Sequence, residues 1–385
     1  MQRTVFGAEH DAFRKMVRSL IEEEVVPVYE EWQDAGVTPR QFSQRLGELG
    51  ILGIEVPEEY GGAGVDSFKY AAIIIEESAR AAVSFGSVGA HIYLCLPYLL
   101  ELTTAEQKAR WLPGFVAGTT MFAIAMTEPG TGSDLAGMRT TATLSDDGSH
   151  FVLNGAKTFI TGGARADRVI VCARTAPPKD GDRRFGISLL AVDVTAPGFE
   201  VGRKLKKIGQ HSIDTVELSF RDVVVPVEDV IGDVNQGFAH LGQNLARERL
   251  TIAVEAYAQA KAAVRLAAEY VQQRQVFGRP LASYQNSKFE LAACQAEVDA
   301  AEAVIDRALE AYDAHEMTPA DGASAKLFCT EVASRVVDRC LQLHGGYGYV
   351  VEYPIARIFA DCRVNRIYGG TSEVMKMIVA KSLGL

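Results

Sequence analysis

The apolar pattern changes period twice along the 385 residues, and this limits the fold more than any single motif does. Residues 1 to about 120 read as helical. Phe13, Val17 and the run 20–25 have helical spacing until Pro27 interrupts, and further helical stretches cover 38–49, 67–82, 86–102 and 104–118. Between 121 and 232 the chain breaks into short β-rich runs at 121–126, 140–144, 150–153, 157–161, 168–173, 186–192 and 215–224. After that it is rich in Ala, Glu, Arg and Leu, with long helical segments at 236–273, 283–314, 318–343 and 371–382. Strands gathered in one block, rather than alternating with helices, argue against a doubly wound parallel sheet. The expected architecture is mainly α with a central β domain. It has an N-terminal helical domain (1–120), a middle β-barrel or sandwich-like domain (121–232) and a C-terminal antiparallel four-helix bundle (233–385).

Local signals add detail. Thr38-Pro39 and Thr103-Thr104 read as helix starts, and the 56–64 segment VPEEYGGAG as a Gly-rich break. Asn154-Gly155 between two β runs predicts a two-residue hairpin turn. Pro97 inside 86–102 is positioned to kink a helix.

Charge and cysteine usage narrow the class. Lys plus Arg is 39 against 49 Asp plus Glu, a formal net charge of -10, which argues against a nucleic-acid binder that relies on a basic surface. The six cysteines (95, 172, 294, 329, 340, 362) form no C-x-x-C and read as free, buried thiols. The seven histidines show no ligand spacing, so no metal site is expected. The first twenty residues resemble neither a secretory leader nor a transit segment, and no apolar run approaches ~18 residues. The expectation is a cytoplasmic protein with no membrane span.

Two glycine pairs, Gly62-Ala63-Gly64 and Gly130-Thr131-Gly132, fail as dinucleotide fingerprints: after Gly130 the third glycine is replaced by Leu135, and no βαβ pattern surrounds either. The segment TEPGTGSDLAG at 127–137 packs Pro, Gly, Ser and Asp into a turn after a β run. It suits either an anion-binding nest of backbone N–H groups, with Ser133 adding a hydroxyl, or a plain Asp-capped turn.

Several separated motifs together resemble the acyl-CoA dehydrogenase family. They are VPEEYGGAG (56–64), AMTEPGTGSDLAG (125–137), LNGAKTFITGG (153–163), QRQVFGRPL (273–281), QLHGGYGY (342–349) and EYPIARIFADCRVNRIYGGTSEV (352–374). The resemblance is closest to long-chain acyl-CoA and isovaleryl-CoA dehydrogenases. It implies FAD as cofactor and oxidation of the Cα–Cβ bond of an acyl-CoA, a carboxylate taking the α proton and flavin N5 the β hydride. It further implies an electron-transfer flavoprotein as acceptor and a homo-oligomer, at least a dimer and in the family a tetramer. Carried onto this chain, Met126 and Thr127 face the polar edge of the flavin, Ser133 reaches the pyrophosphate and the substrate, and Phe159 and Thr161 form the flavin strand. Arg274, Phe277, Gln285, Gln342 and Gly346 match positions that reach FAD from a neighbouring subunit, while Thr371 and Glu373 open the last helix toward it. Residues read alone, Phe159 fits a sheet core and Arg274 a solvated helix end.

The chain departs from the family at its base. Many members place a catalytic Glu after the Tyr of Y-E-G-T, but here the run is Tyr368-Gly369-Gly370-Thr371. Long-chain and isovaleryl enzymes instead carry the base on a bundle helix in an E-R-L context, matched by Glu248-Arg249-Leu250. Phe238, Leu241, Leu245, Glu248 and Ile252 fall on one helical stripe, which places Glu248 on an apolar face and predicts a raised pKa. The alternative is an ordinary ion pair with Arg247 or Arg249. By resemblance the Gly369 N–H binds the thioester oxygen, and Arg249 and Tyr368 lie near the substrate. Other readings are an oxidase of the same fold, a dehydrogenase of branched, steroid or carrier-protein thioesters, and a flavin-free scaffold subunit that has lost its base.

Overall fold

The computed structural model describes residues 3–385. Its helices and strands follow the three-block pattern. The first block holds α1 (Ala8–Leu20), α2 (Tyr29–Ala35), α3 (Arg40–Glu48), α4 (Lys69–Arg80), α5 (Val88–Ala90), α6 (Leu96–Leu102) and α7 (Ala105–Val116). Pro27 does not end the first helix abruptly: the chain passes through a π turn (Ile21–Val25) and a 3-10 turn (Val26–Val28) into α2. Thr104 caps α7 as expected, accepting from Gln107 N while the Gln107 side chain returns a bond to Thr104 N. At Thr38-Pro39 the cap position falls on Pro39, with no side-chain cap. Pro97 is accommodated by a π turn (His91–Cys95) between α5 and α6, which widens the helix where proline cannot donate.

The β block forms one eight-stranded sheet from β1 (Phe122–Ala125), β2 (Thr141–Leu144), β3 (His150–Thr161), β4 (Arg168–Arg174), β5 (Ile187–Asp193), β6 (Phe199–Lys204), β7 (Thr215–Pro226) and β8 (Val230–Ile231). The order is β6-β7-β3-β2-β4-β5-β8, with β1 parallel to β4. Strands β4 and β5 read as unbroken apolar runs because both faces are covered. Val169, Val171, Leu190 and Val192 join the core of the sheet itself, while Ile170, Cys172, Leu189 and Ala191 pack with Leu96, Leu99, Trp111 and Leu241 from the helices. The predicted Asn154-Gly155 hairpin is not formed. β3 runs straight through it, pairing with β7 on both sides of a register shift, and Asn154 instead bonds Asp222. Thr140 leaves no room for a side chain at Gly155, so this glycine serves close strand approach rather than a turn.

The third block has three long helices, α8 (Gly237–Gln273), α9 (Gln285–Asp313) and α10 (Pro319–Leu343), joined by short connections, with the shorter α11 (Pro354–Cys362) and α12 (Ser372–Ser382) packed on α10. A small hairpin, β9 (Gln275–Val276) with β10 (Arg279–Pro280), links α8 to α9. Buried residues of α8 belong to a core shared with α1, α4, α9 and α10. All six cysteines are free and buried. No helix among the described residues is long and apolar enough to cross a membrane.

One buried ion pair holds the loop after β1. Lys157 Nζ, on β3, donates to Met126 O and to Glu128 Oε1, each at 2.9 Å, and Glu128 also accepts from the backbone of Arg139 (2.7 Å) and Thr140 (2.9 Å). Breaking a buried pair by removing one partner strands the other charge, so Lys157→Met should cost about 3 kcal/mol in a urea titration, and adding Glu128→Gln should recover part of it. An unchanged midpoint in the single variant would mean the pair carries no weight.

Candidate active site

Glu248 lies on the buried side of α8 and accepts from the Tyr98 hydroxyl at 3.0 Å. No salt bridge reaches it among the described residues. Arg247, one alternative partner, points elsewhere, forking onto Glu55 at 2.6 and 2.7 Å and touching Tyr312 Oη at 3.3 Å. Arg249 is buried but makes no hydrogen bond or ion pair with any described residue, and its Nε is enclosed without a partner. Burial pushes the Glu248 carboxyl up to about 7, outweighing the Tyr98 hydrogen bond and the Arg249 charge, which both lower it.

Gly369 approaches α8 from the segment before α12. Its φ of +62° and that of Gly370 (+94°) are left-handed, and a side chain at Gly369 would collide with Ile252, one turn along α8 from Glu248. The Gly369 N–H donates to no described residue. The carbonyls on either side of it, Tyr368 O and Gly370 O, both accept from Lys326 Nζ, a fully buried ammonium on α10. This lysine escaped the sequence reading because a Lys on a helix ordinarily marks a solvated face; only the fold turns it inward. Tyr98 was missed for a similar reason, since an aromatic in an apolar run reads as core. Thr371 caps α12, accepting from Val374 N, and Glu373 sits in the first turn with its carboxyl held below the usual range by its own backbone N–H and by Thr371.

A second group sits on the sheet. Thr127 O accepts from Thr158 N at 2.9 Å, which ties the loop after β1 to β3. The Thr127 hydroxyl has no described partner, whereas Met126 O is already taken by Lys157. Glu128 and Thr131 exchange two backbone bonds around Pro129-Gly130, leaving the N–H groups of Gly132, Ser133 and Asp134 without described acceptors and Ser133 exposed. Phe159 is not sheet core: it is 66 % exposed with a φ of +60°, at a register shift in β3. Ile160 faces inward and Thr161 is half-buried, so Phe159 and Thr161 share the open side. A bulky aromatic held exposed in a left-handed conformation is strain that a ligand-facing surface accounts for.

The third group lies at one end of the bundle. The Arg274 guanidinium sits 5.7 Å from the Tyr347 ring, beside exposed Gly346, while Gln285 and Gln342 are exposed on α9 and α10. Phe277, at the tip of the β9–β10 hairpin, is 94 % exposed with a φ of +51°. Among the described residues no hydrogen bond or ion pair joins this group to the other two.

Residues 7–119, 123–223 and 235–384 match the N-terminal, middle and C-terminal domain models of acyl-CoA dehydrogenase. The chain belongs to the acyl-CoA dehydrogenase family, enzymes that dehydrogenate acyl-CoA thioesters and carry FAD. It is 40 % identical over 381 residues to the mitochondrial long-chain specific acyl-CoA dehydrogenase of Sus scrofa, covering 99 % of this chain and 88 % of that one. The crystal structure of acyl-CoA dehydrogenase from Geobacillus kaustophilus superposes with a TM-score of 0.96 at 41 % identity and full coverage of both chains. An acyl-CoA dehydrogenase from Bacillus anthracis, solved with FAD, aligns at a TM-score of 0.88 and 34 % identity, covering 98 % of this chain and 66 % of that one.

The residues present fit FAD and a CoA thioester. An orphaned buried guanidinium, free N–H groups at 132–134 and 369, and an exposed aromatic on the sheet are unmet contacts for an anionic, aromatic ligand pair.

A raised carboxyl pKa binds more protons in the folded state than in the unfolded one. Stability therefore falls as pH rises from 4.5 to about 7 and stays lower above that window, by on the order of 3 kcal/mol for Glu248. Glu248→Gln should melt higher than wild type above about pH 8 and lose that advantage near about pH 4. Parallel melting curves at both pH values would refute the buried, proton-holding carboxyl.

Proposed function

We propose that the chain catalyses FAD-dependent α,β-dehydrogenation of a saturated acyl-CoA to the trans-2-enoyl-CoA, with Glu248 as the base. The observation that carries the assignment is a desolvated carboxyl near pKa 7 on the same helix face as Ile252, which packs against Gly369. Such a group is poised to accept a proton near neutral pH. When bound, FAD supplies the hydride acceptor for the β carbon.

The geometry supports a division of labour. The unpaired Gly369 N–H is available to the thioester oxygen, where it stabilises the charge that develops as the α proton leaves. Lys326 holds the two flanking carbonyls, fixing the direction of that N–H and placing positive charge behind it. Arg249 is the unpaired cation for the CoA portion, with Ser133 and Tyr368 as further substrate contacts. Met126, Thr127, Ser133, Phe159 and Thr161 would hold the cofactor from the sheet, and Thr371 and Glu373 from the start of α12. Arg274, Phe277, Gln285, Gln342 and Gly346 would reach it from a second subunit, so the working unit is at least a dimer. The exposed Phe277, with no packing of its own, supports that reading. The electron acceptor would be an electron-transfer flavoprotein.

In Glu248→Gln, anaerobic addition of a straight-chain acyl-CoA should no longer bleach the flavin absorbance, while FAD stays bound. Full bleaching would remove Glu248 as base. Lys326→Met should retain FAD and lower kcat by about tenfold or more with little change in KM, since loss of an oxyanion-stabilising contact acts on the transition state. A change confined to KM would show that Lys326 only shapes the pocket. Gly369→Glu should restore at most a small part of the turnover of Glu248→Gln, because the left-handed backbone at φ +62° strains any side chain there.

A further inference from the structure

A second buried-side carboxylate on α8 has no part in the mechanism above. Glu255 follows Glu248 by two helical turns, roughly 10 Å along the same face. It accepts from Tyr368 Oη at 2.8 Å and from Gln259 Nε2 at 3.2 Å, and the network continues from Tyr368 to Asn365 (2.8 Å) and from Asn365 back to Gln259 (2.9 Å). No cation pairs with Glu255 among the described residues. Tyr93, on the π turn between α5 and α6 that packs on α8, is buried, and its hydroxyl makes no hydrogen bond with any described residue. Tyr98, five residues further along, is bonded to Glu248, which sets this segment alongside α8. Between Glu248 and Glu255 on α8 lies Ile252, against which Gly369 packs.

Glu255 and Tyr368 both keep accessible surface although they sit inside the fold. Desolvation holds the Glu255 carboxyl up at about 7. If the thioester binds at Gly369 and Glu248, an acyl chain extending along α8 passes apolar Ile252 and ends against these polar groups. An alkyl terminus there would leave a donor and an acceptor unpaired, which costs affinity. A carboxylate terminus would meet Glu255 as a like charge. A hydroxyl matches both, donating to Glu255 and accepting from Tyr93.

We propose that Tyr93, Glu255 and Tyr368 form a polar subsite at the far end of the acyl channel, selecting an acyl-CoA whose chain carries a distal hydroxyl. This rests on the dehydrogenase reading and deepens it. The test uses the FAD-loaded enzyme and pairs of medium-length straight-chain acyl-CoAs, with and without a terminal hydroxyl. Wild type should favour the hydroxylated member of the best pair by about tenfold or more in kcat/KM. Tyr93→Phe and, separately, Glu255→Gln should shrink that ratio while leaving bleaching by the plain chain intact. Equal kcat/KM for both members in wild type, or an equal loss on both in Tyr93→Phe, would overturn the subsite and leave the dehydrogenase standing. No bleaching by any acyl-CoA would overturn both.

Discussion

The active-site arrangement depends on one unusual helix. α8 is 37 residues long and buried along much of its length, because it packs with α4, α9, α10 and the helical face of the sheet. Over residues 246–260 the helix is covered on nearly every side, so the ionisable groups there have to be met inside the protein. Arg247 is met by Glu55. Glu248 and Glu255 are met only by tyrosine hydroxyls and an amide, and the price of that burial is a carboxyl that holds its proton to about 7. Arg249 is not met at all. Helix burial therefore raises the pKa of one carboxyl and leaves the next side chain's charge without a partner.

The glycine segment answers that helix. Gly369 is a gap in the wall opposite Ile252, and its backbone takes a form that a side chain resists. A buried ammonium on α10 fastens the carbonyls on both sides. The carboxylate and the N–H that would act on one substrate thus come from separate helices of the bundle, held in place by packing rather than by a flexible loop. A base at Glu248, as proposed, needs no acid in the Y-x-G-T segment, because Gly369 already faces Ile252, one turn along α8.

The block pattern of helix, strand and helix was readable from period alone, as were the cap at Thr104 and the apolar stripe carrying Glu248. Periodicity reports which side of an element is dry, and burial follows from that. The hairpin at Asn154-Gly155 was misread because the same dipeptide serves a turn and a crowded crossing of strands; only the presence of β7 alongside distinguishes them. β6, with five exposed positions in six, carries too little apolar signal to be seen. Lys326, Tyr93, Tyr98 and Glu255 were invisible for a common reason. Each acquires its role from a partner more than 40 residues away or on another helix, and no local spacing encodes such a meeting.

The π turn at His91–Cys95 has a wider meaning for how this pocket can change. Such a turn is one residue more than an α-helix needs, so it is the mark of an insertion. Removing that residue would swing everything on one side of it by about 100° relative to the other, since an α-helix turns 3.6 residues per revolution. Tyr93 and Tyr98 would then point to different sides. A one-residue deletion there would therefore re-aim Tyr93 relative to Tyr98, the partner of Glu248, without changing any residue of α8.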